Sequence, residues 1–444
     1  MGFALTVLYT VLAIFSPDQF GREWSSAHLL TVIGVLALVV SLPTMLTHRQ
    51  LDRSVQTYLL VGFTGAICLS WIAHGWFGGA VQGAERFLAN AFIFFLVAAN
   101  VTTARRLRIL ALAIVCACLV VAMEGTFSYF LDPGNRFVLH RAAFANEEIV
   151  RTFLQIRGVG FLNDPNDFGQ VLLMALPLAF FSWRQGRGLS NFFWVFLPSA
   201  LLLWGIYLTH SRGSMVGLLV IVVMAVRTRL PRSASVALVA LLMIVLLGTG
   251  FTSGRSISID QGSDRFEAWS TGLQLFKRAP VFGVGFGAFT DFNEITAHNS
   301  IVLCLAELGL VGTTFWVAML VTTVMGLIRL MERAKNSSPA TGPPDAPGST
   351  SAQSDLPGKT FLPSHWIAAL RLSMVSFIVT SWFLSRSYTF SLYLFLGLST
   401  AAIAMQRPAV RRRERGKWVL VTLLTEGLAI LAVYSFVRIR WAFL

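Results

Sequence analysis

Apolar runs of about 18 or more residues recur along the whole length of this chain. A run of this length, wound as a helix, spans the hydrocarbon core of a bilayer, which is roughly 30 Å thick. Only 13% of the residues are charged, whereas a soluble domain carries about 25%. The sequence therefore predicts an all-α, polytopic membrane helix bundle that forms a single membrane domain over residues 1–444.

The apolar runs predict about 12–13 transmembrane helices. The first candidate span is short, and the tenth is long enough to continue past the membrane. The candidate spans lie at 3–16, 28–46, 57–74, 87–103, 107–131, 168–183, 191–209, 213–228, 234–252, 299–328, 365–384, 387–406 and 418–437.

The distribution of Lys and Arg predicts the orientation of these spans. The loops around 48–53, 104–108, 184–187, 227–232, 329–364 and 406–417 together hold about 20 basic residues, whereas the short loops between them hold about one each. Basic loops face the cytoplasm, so this set and the N-terminus are predicted to be cytoplasmic. The net charge of +14 then reflects topology, and we expect no nucleic-acid partner.

The segment 334–360 has a composition unlike the rest of the chain. It contains five prolines and almost no large apolar side chain. Such a segment buries too little surface to offset its ordering entropy. We expect it to be a disordered cytoplasmic linker without a catalytic role.

Three polar segments fall on the predicted external face: the loop 132–167, the turn 210–212 and the large loop 253–298. We expect them to converge on one external cavity. In the first loop, Asp164 followed by Pro165 is a typical helix start, with a carboxylate at the N-cap and proline at the first helical position. Two interpretations remain open. In the first, Asp164 only caps the helix; in the second, Asn166 or Asp167 lines a polar pocket.

The turn at 210–212 contains Arg212, flanked by Ser211 and Gly213. The arginine can snorkel to lipid headgroups. Alternatively, its planar guanidinium, surrounded by hydroxyls and backbone amides, can bind two oxygens of a phosphate at once. We take Ser211 as a supporting residue of such a site.

The large loop 253–298 is predicted to contain an amphipathic helix from Asp264 to Lys277. The apolar residues Phe266, Trp269, Leu273 and Phe276 recur at helical spacing, which suits a helix at the membrane surface. Arg265 lies near the helix N-terminus, where backbone N–H groups attract anions; an ion pair with Asp264 or Glu267 is the alternative. The "GVGFG" run that follows lacks a strand–helix unit around it, so it predicts a flexible turn rather than a dinucleotide site.

The stretch "TAHNSIVLCLAELGLVG" begins the tenth span. His298 has an ordinary pKa of about 6.5, so it can accept a proton near neutral pH; the alternative is an interfacial anchor. Asn299 is a supporting residue beside it. Glu307 lies about 13 Å deeper along the helix, too far to act with His298, and is predicted to be a hydrogen-bond partner in the bundle interior.

These residues resemble the signature of the bacterial O-antigen ligase and polymerase superfamily. The resemblance rests on the His-Asn pair followed by an apolar helix with a glutamate and "GLVG", on "SRG", on "DPND", and on an external loop with an arginine before an amphipathic helix. It covers roughly residues 155–330. The thirteenth candidate span and the long linker depart from the family pattern.

The resemblance implies a multi-pass glycosyltransferase of the bacterial inner membrane with a periplasmic active site. Such enzymes transfer a glycan from undecaprenyl pyrophosphate to a hydroxyl of the lipid A core, of another lipid-linked glycan or of a protein, and need no metal and no other cofactor. Arg212 and Arg265 would match the family's essential arginines and His298 its essential histidine. A polysaccharide or lipid transporter, which typically shows internal repeats, is the alternative of a different class.

Overall fold

A computed structural model describes residues 1–16, 28–47, 54–145, 148–227, 259–336, 362–406 and 416–442, together with a few single positions between 231 and 237. The predicted span 234–252 lies outside the described residues except for positions 234 and 237. The predicted linker also lies outside them, except for residues 334–336, which end a helix.

The described chain is almost entirely helical, and its helices coincide with the other twelve predicted spans and with the predicted amphipathic helix. The helices are α1 (Gly2–Phe15), α2 (Leu29–Thr47), α3 (Val55–Ile72), α4 (Phe77–Asn100), α5 (Ala104–Leu131), α6 (Pro165–Ala175, continued by a 3₁₀ turn Leu176–Ser182), α7 (Gly188–Leu208), α8 (Arg212–Val226), α9 (Ile259–Arg278), α10 (Ser300–Asn336), α11 (Ser364–Ser381), α12 (Phe390–Met405) and α13 (Lys417–Ala442).

Seven of the described helices, namely α2, α3, α4, α5, α7, α10 and α13, are long and apolar enough to cross a membrane. Helices α1, α8 and α12 are apolar but shorter. The outer faces of the bundle carry large exposed apolar side chains, such as Val39, Trp194 and Leu428, each more than 60% exposed. Such faces are costly in water and favourable against lipid. The predicted polytopic helix bundle is confirmed.

The interior of the bundle is packed around α4, α10 and α12. Helix α12 lies against α4, and α10 lies against α3. Aromatic rings of Phe63, Phe87 and Tyr393 meet edge to face, with centroids 5.3 and 5.2 Å apart, a favourable geometry for ring pairs. The hydroxyl of Tyr393 donates to the carbonyl of Ser387 at 2.7 Å, so this core also holds the chain just before α12.

The loop 132–167 contains a β-hairpin that the sequence analysis did not predict. Strand β1 (Val138–Ala145) pairs antiparallel with β2 (Glu148–Ile156), with Val138 opposite Ile156. An isolated hairpin is marginal in stability, and this one is fixed to the bundle. The amide of Gln155 donates to the carbonyl of Thr209 at 2.7 Å, which joins the hairpin to the end of α7.

Helix α10 is broken at Gly309, where φ is 61° and ψ is −161°. The break frees backbone groups on both sides, and segment 280–285 pairs with them. Before the break, the carbonyls of Ala306 and Glu307 accept from the N–H groups of Val284 and Gly285; after it, Leu310 and Val311 donate to Pro280 and Val281, all at 2.9–3.2 Å.

The glycines of this contact are required by close approach. A Cβ on Gly309 would overlap the Val281 carbonyl, and a Cβ on Gly283 would overlap the main chain of Glu307. The "GVGFG" run is therefore an ordered segment that completes the hydrogen bonds of a broken helix, rather than a flexible turn. In a bilayer an unpaired backbone group costs several kcal/mol, so the pairing is essential to the break.

We expect Gly309→Ala to destabilise the protein. Its backbone conformation is accessible almost only to glycine and costs about 1–3 kcal/mol for another residue, and the added methyl overlaps the docked segment. The melting temperature in detergent should fall, and protease should cut segment 280–285 faster. Gly427→Ala is the control, because no atom lies within 4 Å of its Cβ position. Equal melting of Gly309→Ala and wild type would contradict the role assigned to the break.

Candidate functional site

Two helix starts of similar construction carry the sequence-predicted residues. In each, a histidine in the left-handed region precedes an N-cap residue: His210 (φ 48°) before Ser211, and His298 (φ 49°) before Asn299. Histidine is among the residues enriched in this conformation. The caps begin α8 and α10, so Arg212 is the first residue of α8 and is exposed.

Asn299 and Ser300 join the start of α10 to the connection between α11 and α12 (residues 382–389). The side-chain oxygen of Asn299 accepts from the N–H groups of Ile301 and Val302, at 2.9 and 3.1 Å, while its amide donates to the carbonyl of Trp382 at 3.1 Å. The side chains of Asn299 and Ser300 are completely buried. His298, which is half-buried, is therefore held by a capped helix on one side.

Ser300 makes the second part of this attachment. Its hydroxyl donates to the carbonyl of Leu384 at 2.6 Å and accepts from the N–H of Arg386 at 2.9 Å. The hydroxyl of Ser387 donates to the carbonyl of Ser300 at 3.0 Å. The α11–α12 connection thus follows the residues after His298 closely, although the two segments are more than 80 positions apart in the chain.

Helix α9 brings Arg265 to the same region. Its apolar side chains Phe266, Trp269 and Leu273 are buried, and the ring of Trp269 meets those of Trp382 and Phe436. The apolar face of the helix therefore packs on α10, α13 and the α11–α12 connection. The spacing of the apolar residues predicted that this face lies on the membrane surface. The structure corrects this expectation, because the face contacts other parts of the protein.

Arg265 interacts electrostatically with both Arg212 and His298. Burial lowers the pKa of Arg265, and the positive charge of Arg212 lowers it further. Burial also lowers the pKa of His298, with a further decrease from Arg265 and then Arg386, and a partial offset from Asp164. Arginine stays protonated in proteins, so the site presents two cations beside a histidine that favours its neutral form.

Two other arginines near the site, Arg141 and Arg386, form ion pairs with carboxylates. Asp164 caps α6, accepting from both the backbone N–H and the side-chain amide of Asn166 at 2.8 and 3.0 Å, and lies 3.5 Å from Arg141 of the hairpin. Asp167 is buried and forms an ion pair with Arg386. Arg212 has no ion pair with any carboxylate among the residues that the structure describes. The alternative pairing of Arg265 with Asp264 falls on a side chain outside the described residues.

The remaining supporting residues are Ser211, Glu307 and Asn166, of which the first two are buried. Ser211 caps α8: its hydroxyl oxygen accepts from the N–H and the hydroxyl of Ser214, at 3.3 and 3.0 Å. Glu307 lies inside the bundle and accepts from the N–H of Phe289 at 3.2 Å. Asn166 is half-buried and is bound to Asp164. All three side chains thus have hydrogen-bond partners within the protein.

Arg386 is the site residue that sequence reasoning missed. In the sequence it stands alone in a short loop between two spans, where it served only as a topology marker. One sequence feature could have identified Arg386: it is a single arginine on the same predicted external face as Arg212 and His298. Only the fold brings it to the residues that follow His298.

We expect Asn299→Ala and Asn299→Ser to distinguish the stability contribution of the helix cap from that of the hydrogen bond to Trp382. Alanine loses the cap and the bond to Trp382, each worth about 1 kcal/mol. Serine keeps a capping oxygen but cannot reach Trp382, so it should melt between alanine and wild type in detergent. Asn293→Ala, which removes a bond within the preceding loop, is the control. Identical melting of the serine and alanine variants would contradict the capping role.

Comparison with known proteins identifies the central part of the chain. Residues 197–317 match a family model described as O-antigen ligase. This region, about a quarter of the chain, runs from α7 through Arg212, α9 and His298 to the middle of α10. No curated protein matches the chain. The matched region holds the two arginines and the histidine of the site, so this part of the chain is similar to the O-antigen ligase family.

Proposed function

We propose that the protein transfers a glycan from undecaprenyl pyrophosphate to an acceptor hydroxyl at the periplasmic side of the bacterial inner membrane, with its N-terminus in the cytoplasm. One observation carries the proposal: Arg265 interacts electrostatically with both Arg212, which lowers the pKa of Arg265, and His298. Two cations that repel each other are stabilised by a shared anion. Clustered perturbed groups of this kind are typical of functional sites.

The arginines suit the departing pyrophosphate. When the bond between the anomeric carbon and the phosphate oxygen breaks, negative charge develops on the phosphate. Fixed guanidinium groups stabilise that charge, and their planar donors each bind two oxygens. Arg212, at the first position of α8, adds the partial positive charge of a helix N-terminus.

His298 is the proposed general base. Its lowered pKa keeps the imidazole neutral at pH 7, so it can take the proton of the attacking hydroxyl as the new bond forms. The hydroxyl attacks the anomeric carbon opposite the leaving phosphate, which inverts the configuration of that carbon. Asn299, which caps α10 and binds Trp382, fixes the backbone that carries the base.

The acceptor distinguishes two reactions within the family. A ligase transfers the glycan to the lipid A core, and a polymerase transfers it to another lipid-linked repeat unit. Deletion of the gene followed by glycan analysis separates them: a ligase defect leaves carrier-linked polymer, whereas a polymerase defect leaves single repeat units.

Arg212→Ala, Arg265→Ala and His298→Ala should each reduce glycan transfer in cells by at least about a hundredfold, the range for loss of a general base or a fixed charge. Arg265→Lys should lose activity too, because an ammonium cannot bind two oxygens in a planar fork. Arg278→Ala, an exposed arginine at the other end of α9, is the matched control. Membrane levels of all variants should equal wild type, and full activity of His298→Ala would exclude the base role.

The pH dependence of transfer follows from the direction of the His298 shift. A base acts only when neutral, and its pKa lies below the ordinary value of 6.5. The rate of the purified enzyme should therefore hold as pH falls to 6.5 and decrease only below it, as the imidazole becomes protonated. An acid limb with its midpoint above pH 6.5 would contradict this assignment.

A further inference from the structure

A polar cavity of about 350 Å³ lies beside the start of α10, within the size range of small-ligand sites. Its polar lining comes from three separate parts of the chain. The polar side chains that line it belong to Asn90, Asn163, Asp167, Ser385, Arg386 and Thr389. None of these residues is assigned to the donor site above.

The chemistry of this lining favours a polyhydroxylated ligand over a phosphate. Asp167 and Arg386 form an ion pair, so the positive charge of Arg386 is offset, and the carboxylate would repel an anion. A sugar satisfies both partners, because each hydroxyl can donate to the carboxylate and accept from the guanidinium. The hydroxyl of Ser385 is buried and has no hydrogen-bond partner among the described residues, so it is available to such a ligand.

Aromatic rings complete the cavity. Phe161, Tyr388 and Phe390 line it beside the polar groups. The apolar C–H face of a sugar ring packs on aromatic surfaces while its hydroxyls bind the polar side chains, so a mixed lining of this type suits a saccharide.

The cavity is attached to the proposed base. The hydroxyl of Ser300, two residues after His298, accepts from the N–H of Arg386, which lines the cavity, and donates to the carbonyl of the neighbouring Leu384. A hydroxyl that loses its proton to His298 must lie at the base, and the phosphates of the donor are already assigned to Arg212 and Arg265. A saccharide in this cavity is therefore on the acceptor side.

An apolar groove continues from the cavity. Its volume is about 590 Å³, and it shares Asn90, Phe161 and Phe390 with the polar cavity. The groove lies between α1, α2 and α4, where Val35 and Leu88 face outward. A polar cavity joined to an apolar groove at the bundle surface matches a molecule with a saccharide at one end and a hydrocarbon chain at the other.

We propose that the Asp167–Arg386 cavity binds the acceptor saccharide and that the adjoining groove holds the lipid chain that carries it. This inference rests on the proposed glycan transfer and narrows its acceptor to a glycolipid rather than a protein hydroxyl. Arg386 and Ser385 are binding residues for the acceptor, distinct from the arginines that hold the donor phosphates.

The test is photolabelling of the full-length protein in nanodiscs with dodecyl maltoside that carries a diazirine on its chain. Labelled peptides should contain Asn90, Phe161 or Phe390. Unmodified dodecyl maltoside should compete at least about tenfold better than dodecyl phosphocholine, which has the same chain without a sugar. Ser385→Ala and Asn90→Ala should each weaken maltoside competition about three- to tenfold, the loss of one hydrogen bond.

Two controls keep the result specific. Ser399→Ala removes another serine hydroxyl that is buried without a partner among the described residues but lies outside the cavity, and it should leave competition unchanged. His298→Ala should label like wild type, so the binding result stands apart from any failure of the proposed catalysis.

Three outcomes would overturn the proposal. Equal competition by the maltoside and the phosphocholine would mean that the groove accepts any amphiphile. Stronger competition by farnesyl pyrophosphate than by the maltoside would assign the groove to the donor. Unchanged competition in both Ser385→Ala and Asn90→Ala would remove the cavity from sugar recognition.

Discussion

The backbone of a helix broken inside a membrane bundle must find hydrogen-bond partners, because lipid offers none. In this protein the break at Gly309 meets that requirement through segment 280–285, whose main chain pairs with both sides of α10. The pairing fixes the return of the chain from α9, and Glu307 also accepts from the N–H of Phe289, four residues after that segment. The position of Arg265 on α9 relative to His298 on α10 thus depends on a backbone constraint rather than on the charged residues themselves.

The second organising element is the α11–α12 connection. The carbonyl of Trp382 accepts from Asn299, and the carbonyl of Leu384 accepts from Ser300. The ring of Trp382 meets that of Trp269 edge to face, and Phe383 lies against Gly213. It therefore touches the starts of α8 and α10 and the packed face of α9, the three helices that carry the proposed donor site. By placing Arg386 beside Asp167, the same connection links that site to the proposed acceptor cavity.

The sequence predicted the helices well because length and hydropathy decide whether a segment spans a bilayer, and local caps decide where it begins. Asp164 and Pro165 start α6 as their pattern indicates. The hairpin was missed although "EIVRTFLQI" is rich in β-branched residues, since its stability depends on attachment to Thr209. The apolar face of α9 was read as membrane-facing because periodicity reveals an apolar face but not what covers it.

The sequence by itself determined that the chain is a membrane helix bundle, where its helices lie, and which arginines and histidine resemble a family site, because these depend on local composition and short motifs. Only the tertiary structure decided that the main chain of "GVGFG" completes the hydrogen bonds of a broken helix, that α9 packs on protein, and that Arg386 and Asp167 meet in a cavity beside the start of α10. Those features depend on hydrogen bonds and charges between segments far apart in the chain, and no local pattern encodes which distant segments will meet.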